Sequence, residues 1–108
     1  MSYSLEIHPF VNEDVLEIFQ SINENSPLQA DLFAENVLLE YEKILNELNQ
    51  NIFHQNKRII KSRPIGKFRN HRIFNKANLT EEKLIILAVV YGGRDQGRLQ
   101  QMINNRLE

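Results

Sequence analysis

The stretch KLIILAVVY (83–91) decides how this chain is read. After Lys83 it carries no charge, and six of its nine residues are Leu, Ile or Val. A strand with one wet face alternates apolar and polar residues. This one is apolar on both faces, so it reads as a central strand. It is far too short to cross a bilayer as a helix.

Upstream, the texture stays β back to residue 57. KFRNHRIFNK (67–76) is aromatic and β-branched enough for a strand, and ANLTEE (77–82) reads as the polar loop of a hairpin between the two. KRIIKS (57–62) reads as a short basic strand, and RPIG (63–66) as a turn. Before residue 56 the period changes. Val11, Val15, Ile18, Phe19 and Ile22 fall on one helical stripe, with Asn12 as cap and Glu13 and Asp14 in the first turn. Asn23–Asn25 end that helix. SPLQ (26–29) starts another: Ser26 caps, Pro27 takes the first helical position and Gln29 completes a capping box. Phe33, Val37, Tyr41, Ile44 and Leu48 carry this helix to about Leu48. Tyr3, Leu5 and Ile7 alternate with polar residues, a strand that Pro9 stops. Downstream, Asp95 caps a short last helix with Leu99, Met102, Ile103 and Leu107 on one face.

The order is β, α, α, β, β, β, α over a single domain, 1–108. The expected class is α+β: an N-terminal strand, an antiparallel helical hairpin packed on a small, mostly antiparallel sheet, and a short C-terminal helix.

Charge divides the chain. Residues 1–56 hold ten acids and one base, Lys43; residues 57–108 hold four acids and twelve bases. The net charge of −1 conceals this. One face is expected to meet an anion, although acidic helices packed on a basic sheet would give the same count. There is no cysteine, which suits a reducing cytoplasm. No basic-then-apolar leader is seen, so no signal peptide is expected. His8, His54 and His71 lack the spacing of a helical metal site, and YGGRD lacks the ending of a phosphate loop, so neither metal nor cofactor is expected.

The chemistry left is that of cations. Arg58, Lys61, Lys67, Arg69, Arg94 and Arg98 are candidates for a target or anion-binding surface. Metal-free RNA cleavage needs a proton acceptor, a cation at the phosphate and an acid for the leaving oxygen. His71, Tyr91, Arg72 and Arg94 are the candidates for those roles. His71 also reads as a plain strand histidine, and Tyr91 as a core or sheet-edge aromatic. Arg94 follows two glycines that let the strand turn sharply, or it pairs with Asp95 or an acid of the long helix.

FRNHRIFN (68–75) and VVYGGRD (89–95), together with LEI (5–7) and EDVLEI (13–18), make the whole chain resemble the RelE/ParE superfamily of type II toxins. The resemblance implies a toxin neutralised by a cognate antitoxin whose acidic, disordered C-terminal segment wraps it, with homodimers or hetero-oligomers as possible assemblies. Tyr91 stands where many members have histidine, and His71 and Asn75 where tyrosines are common. DQGRLQQM (95–102) has no aromatic after Arg94, where the RNA-cutting branch often has one. The long helical hairpin and the GGRD ending (92–95) look closer to the ParE branch, whose studied members poison DNA gyrase rather than cut RNA. The alternatives are a RelE-like, ribosome-dependent endoribonuclease acting on mRNA, or an inactive antitoxin-binding relative.

Overall fold

A computed structural model describes residues 2–50, 60–92 and 95–107. The elements follow in the expected order: β1 (Ser4–Ile7), α1 (Val11–Asn23), α2 (Pro27–Gln50), β2 (Lys61–Ile65), β3 (Phe68–Asn78), β4 (Lys83–Tyr91) and α3 (Gln96–Arg106). The four strands form one sheet in the order β1-β4-β3-β2. β2, β3 and β4 are antiparallel, and β1 lies parallel to β4. The α+β class is as the sequence implies. Among the described residues no helix is long and apolar enough to cross a membrane.

β4 is an inner strand and buries both faces, for the reason its composition suggests. Leu84, Ile86 and Val89 pack with Val11 of α1 and with Phe33, Val37, Tyr41, Ile44 and Leu48 of α2. Leu87, Ala88 and Val90 pack with Leu99 and Ile103 of α3. The helical hairpin thus covers one face of the sheet and α3 the other. In the first cluster, burial and the negative charge of Asp14 push the Tyr41 hydroxyl up to about 12.

The side-chain alternation of β4 breaks once. Phe74 pairs with Ala88, but the next residue of β3, Asn75, pairs with Ile86. Leu87 is the extra residue of a β-bulge, which is why Leu87 and Ala88 share a face.

Local boundaries differ from expectation at five places, one being β3, which pairs with β4 through Asn78, two residues into the expected loop. α1 begins at Val11 behind Phe10, with no side-chain cap, so Asn12 lies inside the helix. Ser26 Oγ accepts the Gln29 N–H at 3.2 Å, but the Ser26 N–H donates to the Ile22 carbonyl at 2.9 Å. The first helix occupies the donor that a full capping box would use. α2 runs on to Gln50, and Asn49 Oδ1 accepts the Tyr3 N–H at 2.6 Å. RPIG is strand as far as Ile65, because β2 is an edge strand and tolerates Pro64 without a ladder donor. Residues 57–59 of the expected basic strand, and His54, lie outside the described residues.

The turn after β2 is fixed by α2. Gly66 has φ +47° and donates its N–H to Glu40 Oε1 at 3.2 Å. Glu40 is almost fully buried and holds Arg63 Nε at 2.7 Å, while Arg63 Nη1 reaches Glu47 at 3.0 Å. These contacts clamp the helical hairpin to the sheet edge.

Candidate functional site

His71 and Tyr91 are partners across β3 and β4. The Gly92 N–H donates to the Asn70 carbonyl. Alternation along the ladder then makes His71–Tyr91 a non-hydrogen-bonded pair, the kind that brings side chains closest. The two rings lie 5.4 Å apart, edge to face. Phe33 of α2 lies 5.1 Å from the imidazole and Phe68 lies 6.2 Å from it. His71 Nδ1 is enclosed, with no hydrogen-bond partner among the described residues. Burial pushes the imidazole below its usual pKa, favouring the neutral form.

Gly92 explains part of the glycine pair. A Cβ there would lie 2.8 Å from the Asn70 carbonyl oxygen. The residue serves a close backbone approach at the end of the sheet. Gly93, Arg94 and Arg58 lie outside the described residues.

Arg72 does not join His71. Successive strand residues face opposite ways. Arg72 turns to the α3 side, where its Nε donates to Ser62 Oγ at 3.2 Å. Tyr91 borders a small cleft of about 180 Å³ with Asp14 and Glu17 of α1. The exposed Glu17 carboxylate opposes a phosphate there, while Asp14 is already paired with Arg106.

The remaining cations are spread out. Lys67 and Arg69 are exposed at the β2–β3 turn, and Lys61 is exposed at the start of β2. Arg98 is exposed in the first turn of α3, where Asp95 Oδ1 accepts its N–H at 3.1 Å. It lines a groove with His8, Phe10, Met102 and Arg106. Lys76 is half-buried on the α3 side. The described cations thus occupy several stations, where the charge count alone suggests one basic face.

No family model matches this sequence. No curated protein matches it either. The site therefore stands on its own geometry.

Three residues of that geometry are hidden in the sequence. Phe33 reads only as core, yet it walls His71. Asp14 reads as a helix-dipole residue, and Arg106 as one more base. The two form a nearly buried ion pair at 2.6 Å. Asp14 Oδ2 also accepts the Val89 N–H at 3.1 Å, and Arg106 Nη1 donates to the Leu87 carbonyl at 2.9 Å. β1 ends opposite Ile86. Beyond it, this pair takes the backbone groups of β4 around the bulge. No local pattern could signal a contact between residues so far apart in the chain.

Proposed function

We propose that this chain is the toxin of a type II toxin–antitoxin pair, of the RelE/ParE kind and closer to ParE. It acts in the cytoplasm by binding and poisoning a protein target, DNA gyrase, and a cognate antitoxin neutralises it. The observation that favours binding over RNA cleavage is the separation of His71 from Arg72, one of the two candidate phosphate cations; Arg94, the other, lies outside the described residues. A metal-free ribonuclease needs its proton carrier and its phosphate cation around one reacting atom. Here His71 is held among aromatic rings on one face, and Arg72 bonds Ser62 on the other. The β, α, α, β, β, β, α order and the exposed Lys67, Arg69 and Arg98 support the family reading and an anionic partner segment.

One observation favours the second reading, a ribosome-dependent endoribonuclease. Tyr91 is half-exposed beside His71, where a base could stack.

The test is induction of the chain alone in a bacterium, with DNA and protein synthesis followed by pulse labelling in one culture. Arrest of DNA synthesis first, together with linearised DNA in a gyrase cleavage assay, is the expected result. Arrest of protein synthesis first, with cleaved mRNA, would replace the proposal by the second reading. Unimpeded growth on induction would leave a chain that only binds its antitoxin.

A further inference from the structure

The helical hairpin carries an apolar groove on its outer side. Val15, Leu16 and Phe19 of α1 face Ala34, Val37 and Leu38 of α2 across about 420 Å³, with Ile7, Tyr41 and the polar Asn12 also in the lining. Its floor is buried, but Leu16 is 54% and Leu38 62% exposed. Two leucines this open beside a formed groove are an unpartnered apolar surface.

The rims of the groove say what kind of partner fits. An α-helix advances about 100° per residue. Glu13, Glu17 and Glu24 therefore fall about 60–100° to one side of Leu16, and Asp31, Glu35 and Glu42 fall at the same angles from Ala34. Because α1 and α2 run antiparallel, these equal rotations put both acidic rows on the outer lips, away from the sheet. All six carboxylates are exposed, and none forms an ion pair among the described residues. Lys43, the sole base of residues 1–56, lies about 180° from Ala34 and so off the groove.

We infer that this groove receives a basic amphipathic helix of a partner protein. Leucine-type side chains on one stripe would fill the apolar floor, and Lys or Arg on the flanks would meet the two acidic lips. A second copy docking by the same face would set acidic lips against acidic lips. An acidic segment would be repelled in the same way and belongs with the cations of the β2–β3 turn and α3. The inference does not rest on the toxin reading, because it uses only the groove and its lips.

The probe is a fluorescein-labelled synthetic helix with Leu at i, i+3, i+4, i+7, i+8 and i+11 and Lys elsewhere. A counterpart carries the same Leu stripe with Glu in place of Lys. Anisotropy titration of the full chain is expected to show saturable binding of the Leu/Lys helix, at least tenfold tighter than the Leu/Glu helix and weakened by added salt. Leu16→Ser/Leu38→Ser is expected to weaken it at least tenfold, and Glu13→Gln/Glu17→Gln/Glu35→Gln several-fold with a shallower salt dependence. The variants alter exposed side chains, and circular dichroism checks that each is folded. Equal binding of both helices, or binding that ignores both sets of variants, overturns the inference. So does a dimer in sedimentation that Leu16→Ser/Leu38→Ser dissociates, since the occupant is then a second copy.

Discussion

Asp14 and Arg106 stand 92 positions apart and meet in a two-pronged ion pair, Oδ2 to Nη1 at 2.6 Å and Oδ1 to Nη2 at 2.8 Å. The pair joins the first turn of α1 to the last turn of α3, on opposite sides of the sheet, through the backbone of β4. Phe10 covers it, with the guanidinium 5.7 Å from the ring centre. Removing one member strands the other charge and a backbone group. We expect Asp14→Ala to cost about 3 kcal/mol, and Asp14→Ala/Arg106→Met to cost less than the sum of the single changes. Urea denaturation of the four proteins measures this. A single-variant loss well under 1 kcal/mol would show that water replaces the pair.

Gly66 is tied to both its conformation and its neighbour. Its φ is in the left-handed region, and a Cβ would run into the Asn36 side chain, which is itself held by the Leu32 carbonyl at 2.7 Å. Gly66→Ala is expected to destabilise by about 1–3 kcal/mol. Glu40→Ala, which frees the Gly66 N–H and one arm of Arg63, is expected to cost about 3 kcal/mol. If thermal melts of both variants match wild type, the clamp between α2 and the sheet edge contributes nothing.

Gly92→Ala places a methyl carbon against the Asn70 carbonyl, and backbone cannot move aside as a side chain can. The expected result is local. The protection of the amide at position 92 falls relative to wild type, while the amides of β4 at Ala88 and Val89 keep theirs. Unchanged protection at position 92 would mean that the strand end has room for a side chain.

His71 titrates below its usual 6.5 because burial disfavours the imidazolium. As pH falls below about 6.5, the unfolded chain takes a proton that the folded chain resists. Stability therefore drops from that point until the folded pKa is reached, and is unaffected by this group above neutrality. His71→Phe removes the effect and the unpartnered Nδ1. Its advantage over wild type in melting temperature should grow between pH 7 and pH 5. A constant difference across that range would remove His71 as the cause.

Arg94→Ala and Arg98→Ala test the proposed toxin surface. Arg98 is exposed, and its hydrogen bond among the described residues is the backbone cap to Asp95, so its change should leave the melting temperature within a few degrees. Each substitution is expected to relieve growth inhibition by at least tenfold in a plating assay. Full toxicity in both folded variants would move the target contact elsewhere on the chain. A deep loss of stability in Arg94→Ala would instead make that arginine structural.

The sequence by itself determined the elements and the packing of the helical hairpin on the sheet. A strand with no polar face must lie inside a sheet, and stripes at helical spacing must lie on it; KLIILAVVY and the Phe33–Leu48 stripe require no partner information to say so. Asp95 capped the helix expected of it for the same reason: the cap bond spans three residues. The tertiary structure alone decided the rest. Whether Pro64 lies in a turn or on an edge depends on which strand has a free side. That Leu87 is a bulge depends on the register of β3. That His71 meets Phe33 while Arg72 faces Ser62 follows from alternation only once the pairing is set. The Asp14–Arg106 pair, the Glu40 clamp and the acidic-lipped groove are products of chain reversal, and a contact made by bringing distant residues together leaves no local period to read.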